Sequence, residues 1–318
     1  MSRVACYVAL SMLVLCLTSC TKPSEPKPTE QTSRDESVTP ADDQHVEPID
    51  VLKSLGTVRL DDDDNVIVVQ IPDGKASDET AKLLANMTSL KDVQLTGEQV
   101  TDAAIDSLVG LENLKVLKLD GTAVGDAGLA KLRTMDSLEQ VYLSGTKITD
   151  VGLQHLGALP RLRRLRISNT QVTGQGMQHL KSATRLANLD VSKTSVDDVG
   201  LEHLSQISAL TNLNLYTTNV TDAGIDHVMQ MPQLTWLNLD NTQITDAALP
   251  KLKPLVNLTY LHLGRTPVTD AGVENLFGLK NLTRLEVTNT QVTDEGADKL
   301  RAALPDCEVL AGVTDAKS

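Results

Sequence analysis

The chain has 318 residues, a formal net charge of −13 at pH 7 and only 2% aromatic residues. That acidity excludes general nucleic-acid binding, which needs a basic footprint. Three of the four cysteines (Cys6, Cys16, Cys20) crowd the N-terminus and leave Cys307 by itself, so no disulfide framework is available to the rest.

Residues 1–19 read as an export signal, with Arg3 as the positive start and an apolar core at 8–17 that is too short to cross a bilayer. Leu17-Thr18-Ser19-Cys20 resembles the lipobox of bacterial lipoproteins. That resemblance implies that Cys20 is lipidated and becomes the first residue, an anchor that does not span the membrane. The other reading is an ordinary signal peptide with an incidental cysteine. Thr21 after the cysteine points, by the same analogy, to the outer membrane rather than the inner one, and the chain is expected in the cell envelope, in the periplasm or at the outer membrane or cell surface. Residues 20–48 are rich in Pro, Ser, Thr, Glu and Asp, and cannot bury a core; a disordered tether is expected.

Residues 49–65 are expected to form an N-terminal cap. Thr57–Leu60 and 65–71 have strand character and are joined by four consecutive aspartates, Asp61 to Asp64. These form either a solvated turn or a calcium site, although the spaced ligands and glycine of a calcium loop are missing. From residue 66 to 310 one unit repeats about ten times with a period of 24 residues. The leading leucines are Leu90, Leu114, Leu138, Leu162, Leu186, Leu210, Leu234, Leu258 and Leu282. The alternating L-x-L portion that follows predicts a short strand buried on one face. Next comes Thr-Asp or an equivalent, as at Thr101-Asp102 and Thr149-Asp150, predicted to be helix N-caps. Apolar residues three apart, such as Leu153, Leu156 and Leu159, give the buried stripe of a short helix. One such unit cannot bury its own apolar face; stacking does it. Threonines from Thr122 to Thr290 recur just after the strand, and stacked hydroxyls are expected to satisfy the turn. Small residues two past each aspartate (Gly128, Gly152, Gly176) imply close packing between coils. Pro305 should end the last helix before a half-strand at 307–310.

These residues resemble the leucine-rich repeat family in its helix-containing, ribonuclease-inhibitor-like form. The Thr-Asp-x-Gly-Leu phrase is similar to the cysteine-containing subtype, with Thr where that subtype carries Cys, and closer still to repeats of bacterial secreted proteins. The resemblance implies an α/β solenoid, a curved horseshoe with a concave parallel β-sheet and convex short helices, used for binding.

Exposed strand slots then line the concave face. Every Tyr and Trp beyond the signal falls there: Tyr142, Tyr216, Trp236 and Tyr260. Tyr216, Trp236 and Tyr260 are expected to cluster, since neighbouring strands lie about 5 Å apart. Tyr, Trp and Arg dominate binding hot spots. With Arg164, Arg166 and Arg284 for carboxylates or phosphates, and Asn238, Asp240 and His262 beside Trp236, they form the candidate ligand surface. The alternative is a bland strand surface. His155, His179, His203 and His227 share one helix slot and read as a solvated stripe rather than a metal site. The aspartate ladder likewise reads as capping rather than cation binding, with Thr173 able to cap where Gly174 interrupts it. No phosphate loop, metal-spaced Cys/His pair or nucleophile elbow occurs. The expectation is a non-enzymatic binding module without cofactor or metal, meeting a protein, peptide or glycan. Its membrane contact would be through the lipid anchor alone; the alternative is an envelope scaffold without a discrete site.

Overall fold

A computed structural model describes residues 47–313. The expected signal at 1–19, the Cys20 lipidation site and the tether up to residue 46 lie outside the described residues, as do residues 314–318. Helix α1 (Pro48–Leu55) opens the described part. Proline suits this first turn, where its missing N–H has no partner to lose. Strands β1 (Thr57–Leu60) and β2 (Val66–Ile71) pair antiparallel across the acidic turn. Asp61 Oδ1 accepts from the Asp63 and Asn65 N–H groups, at 3.1 and 2.9 Å, so the turn closes through a side chain of its own.

Ten further strands follow: β3 (Asp92–Leu95), β4 (Val116–Lys118), β5 (Gln140–Tyr142), β6 (Arg164–Arg166), β7 (Asn188–Asp190), β8 (Asn212–Asn214), β9 (Trp236–Asn238), β10 (Tyr260–His262), β11 (Arg284–Thr288) and β12 (Glu308–Gly312). From β2 onward each pairs parallel with the next, so the sheet runs β1 to β12 in sequence order and stays open. The register never slips: Val69 faces Val93, Val93 faces Leu117, and Leu237 faces Leu261. An unbroken 24-residue period requires this, because each strand slot lands beside the same slot one coil later. The leading leucines from Leu90 to Leu282 are at most 1% exposed and form one continuous core with the helix stripes. Each fully buried leucine contributes about 1.5–3 kcal/mol, so the apolar ladder is the main stabilising term.

Three local expectations change. The threonines cap, but the aspartates do not cap the helices they begin. The Thr149 hydroxyl accepts from the Val151 N–H, and the same pattern holds at Thr101, Thr221, Thr245, Thr269 and Thr293. Each aspartate instead reaches forward one coil. Asp126 accepts from the N–H and the hydroxyl of Thr149 at 2.9 and 2.6 Å, and Asp78, Asp150, Asp198, Asp222, Asp246 and Asp270 do likewise. At the first of these coils the cap is Ser77, not Asp78. A hydroxyl has one donor and two lone pairs, so a threonine such as Thr149 receives at its own helix and donates to the coil before it. The small-residue ladder belongs to this clasp: a Cβ on Gly152 would meet Asp126 Oδ1 at 2.5 Å.

Second, the inner threonines do not stack hydroxyl on hydroxyl. Thr122, Thr146, Thr194, Thr218, Thr242 and Thr266 each donate to the carbonyl three residues earlier in their own coil. Third, Thr173 does not cap, and the helix after it, Gln175–Ser182, is 3-10. Asp197 stands in the next threonine slot and caps its own helix through the Gly200 N–H. Its carboxylate fills the space beside Gly174, so the absent aspartate and the misplaced one compensate each other.

Candidate functional site

The slot after each strand turn has positive φ in every coil from Gly97 to Asn289, between 50° and 111°. This left-handed step returns the chain inward; the first and second slots of strands β3 to β11 stay at least partly exposed on the concave side, while the third is buried at Ser168, Ser192, Asp240, Gly264 and Thr288, against the expectation of three exposed slots. In the second of these slots a side-chain oxygen closes the turn. Asp190, Asn214 and Asn238 accept the N–H two residues on, at 3.0, 3.1 and 2.9 Å. A backbone N–H can be met only by the amide oxygen, so the NH₂ groups of Asn214 and Asn238 are turned away from the turn.

The candidate residues divide into two groups. Tyr142, Arg164, Arg166 and Trp236 line one groove of about 270 Å³ that runs across β5 to β9. Tyr142 and Trp236 stand at its ends, and Asn188, Asn212 and Asn214 form its floor with Asp190. Tyr142 donates to Gln140 Oε1 at 2.9 Å, and Arg164 approaches the Tyr142 hydroxyl at 3.4 Å. Arg166 lies 3.5 Å from Asp190. Of this floor only Asn214 stands out in the sequence, beside Trp236; Asn188 and Asn212 do not, and their signal is Asn in adjacent first slots.

The second group lies beyond Trp236. Trp236 and Tyr260 stack in parallel, 4.7 Å apart and 3° from coplanar, so one indole face is covered and the other turns to the groove. Tyr260 donates to Glu286 at 2.9 Å, and Arg284 Nε meets the same oxygen at 2.8 Å. Burial first, then this bond, push the Tyr260 hydroxyl well above its ordinary value. Burial pushes His262 down, against the pull of Asp240 and Glu286. Burial also works to raise Glu286, but Arg284 and His262 win and hold it below the usual carboxylate value. Tyr260, His262, Arg284 and Glu286 therefore mainly satisfy one another.

Two expectations are corrected here. Tyr216 does not join the Trp236–Tyr260 stack. It occupies the third slot, four residues beyond the position that faces Trp236, or about 13 Å along a strand. Its ring instead lies under Arg265 at 5.0 Å and Lys193 at 5.6 Å. Asp240 is 2% exposed and gripped through both oxygens by Arg265, so it is closed to a ligand. Arg265 escaped the sequence reading because it sits in the left-handed slot, where glycine and asparagine are the usual residues. All four histidines of the ladder remain partly exposed, and among the described residues His203 Nδ1 is buried without a hydrogen-bond partner. That slot turns toward the preceding coil: Lys131 and Lys251, its occupants elsewhere, reach the carbonyls of Asp102 and Asp222 at 3.2 and 2.8 Å. Among the described residues no helix is long and apolar enough to cross a membrane.

Comparison with known proteins follows the same lines. Among solved structures, an internalin (InlF) from Listeria monocytogenes aligns with a TM-score of 0.59 at 24% identity, covering 74% of this chain and 64% of that one, so the match spans under two thirds of that protein. Internalin C2 from the same organism aligns with a TM-score of 0.50 at 22% identity, covering 68% of this chain and 84% of that one. The PEPR1–AtPEP1 structure aligns with a TM-score of 0.52 at 17% identity, covering 80% of this chain and 36% of that one. At these identities the likeness is one of fold. No curated protein sequence matches. A family model described as a leucine-rich repeat region matches residues 73–304, most of the chain and nearly the whole parallel array, and so the chain belongs to the leucine-rich repeat family.

Proposed function

We propose that the chain is a recognition module that binds a protein or peptide along the concave groove between Tyr142 and Trp236, and that it is not an enzyme. The observation that carries this is the groove itself: aromatic walls at both ends, two guanidiniums and an amide floor, all on rigid paired strands. Rigid aromatic and arginine anchors contribute most where binding energy concentrates. The groups around His262 are engaged with one another, which positions the Trp236–Tyr260 stack and leaves no activated nucleophile. A glycan could also stack on the open face of Trp236, but the groove's length across five strands suits an extended polypeptide better. Export and lipid anchoring through Cys20 would place this groove at the cell envelope.

The test is capture from envelope extract by the immobilised chain and by its Trp236→Ala/Tyr260→Ala double variant. The expected result is a protein held by the wild type and lost by the variant, with an unchanged thermal melt. Equal capture by both would remove function from this face. In the same preparation Cys20→Ser should shift the chain from the membrane to the soluble fraction; an unchanged distribution would remove the anchor.

A further inference from the structure

The groove is rich in donors and poor in acceptors. Arg164 is exposed, and its one partner among the described residues is the Tyr142 hydroxyl at 3.4 Å, beyond ordinary hydrogen-bond range. The groove's single carboxylate, Asp190, already accepts from the Ser192 N–H and faces Arg166. Asn214 has its oxygen committed to the Tyr216 N–H, which leaves its two amide hydrogens over. The groove is therefore a cationic, hydrogen-donating surface in a chain of net charge −13.

The surrounding sequence reinforces this. Five of the twelve arginines lie between residues 161 and 185: Arg161, Arg163, Arg164, Arg166 and Arg185. All five are exposed, and only Arg166 has an acidic partner within ion-pair distance among the described residues. Arg161 and Arg185 hold the same slot of adjacent coils, about 5 Å apart along the stack. Glu139, in the slot one coil before Arg163, pairs with Lys115 instead. An unpaired cationic belt thus leads from the rim, where each coil enters its strand, down into the groove at β6.

We propose that the groove selects an extended acidic polypeptide segment. Its carboxylates pair with Arg164 and Arg166, its backbone carbonyls accept from Asn214, and its apolar side chains pack on Tyr142 and Trp236. Arg161, Arg163 and Arg185 steer its approach. This rests on the peptide-recognition reading above and adds the chemistry of the partner. A flat anionic membrane fits the geometry less well, because Trp236 lies within a concave groove. A sulfated polysaccharide supplies charge but no apolar side chains for the two aromatic walls.

Trp236 is the chain's one tryptophan, so its emission reports groove occupancy directly. The experiment titrates the full chain with C-terminally amidated oligoglutamate, with oligolysine, oligoserine, heparin and phosphatidylglycerol vesicles as parallel probes. Oligoglutamate should shift the Trp236 emission saturably, and added salt should weaken it as screening lengths shorten. Arg164→Glu should reduce the affinity about tenfold or more, the scale of one charge-assisted bond, at an unchanged melting temperature. Arg161→Glu/Arg185→Glu should slow association and flatten the salt dependence. No response to oligoglutamate, an equal response to oligolysine or oligoserine, or tighter binding of heparin or vesicles would overturn the proposal. If oligoglutamate fails while Trp236→Ala/Tyr260→Ala still abolishes protein capture, the acidic partner falls and the recognition reading stands. If both fail, both fall.

Discussion

At the scale of single residues, the clasp between coils explains which positions tolerate change. Each complete clasp ties an aspartate to a threonine one coil on, and at Gly152, Gly176, Gly224, Gly272 and Gly296 an added Cβ would crowd that aspartate, whereas Ala104 and Ala248 hold the same slot beside complete clasps. The pair Gly174 and Asp197 is the one place where the clasp is inverted. Gly174→Asp alone should set two carboxylates against each other in occupied space and destabilise the fold by roughly 2 kcal/mol or more. Asp197→Thr alone should cost only a few tenths of a kcal/mol, because threonine caps from the same slot in other coils. Together they rebuild the ordinary clasp, so the double variant should be more stable than the sum of the singles by about 1–3 kcal/mol, the range for coupled neighbours. Urea denaturation of the four proteins measures this, and simple additivity would show that the two sites are independent. The sequence marks these residues but not their partners. Thr and Asp are both good N-caps, so a local reading assigns both to the helix they precede; the actual bond joins residues 23 apart in sequence.

At the scale of elements, the strands were legible and the turns and helices less so. Period-2 alternation fixed the buried strand slots, and the 24-residue period fixed their pairing, which is why the register from β2 to β12 follows from the sequence. Apolar residues three apart fit a short α-helix and a 3-10 helix equally well, and Gln175–Ser182, Leu249–Leu252 and Glu274–Leu276 are 3-10. The left-handed slot was hidden because glycine holds it only at Gly97, Gly121 and Gly145; later coils place Asn, Lys, Thr or Arg there. Thr217, with φ of 55°, is the β-branched member and the least suited to that conformation. Its hydroxyl accepts from the Asn241 amide at 2.9 Å, an exposed contact of small net value. Thr217→Asn relieves about 1 kcal/mol of backbone strain and retains an acceptor at the same place. The variant should therefore melt higher by roughly 2–4 °C. An equal or lower melting temperature would mean that the Asn241 contact outweighs the strain.

At the scale of the whole molecule, the array is additive along one axis. Each coil touches the coil before and the coil after, so its stability is close to a sum of coil and interface terms. The groove, by contrast, depends on five consecutive strands, β5 to β9. Fold and site can therefore be separated by removing whole periods. Deleting residues 90–113 takes out β3 and its helix, joins Ser89 to Leu114 in register, and lets the Asp78 carboxylate meet the clasp slot at Gly125. Deleting residues 210–233 takes out β8, joins Ala209 to Leu234, and sets Asp198 against Thr245. Both deletions conserve every ladder, so both proteins should keep a cooperative melt at a lower midpoint by circular dichroism. Only the second should lose the groove, because it removes Asn212 and Asn214 and brings β7 directly against β9. In the oligoglutamate titration the first deletion should leave the Trp236 response intact and the second should abolish it. Loss of the response in both would place the binding determinants in coils outside the groove. A deletion one residue short of a period shifts every later slot off its ladder with the coils before it. It sets leucines against polar positions and should abolish the cooperative transition, since what the period preserves is the alignment of buried slots rather than the length of the chain.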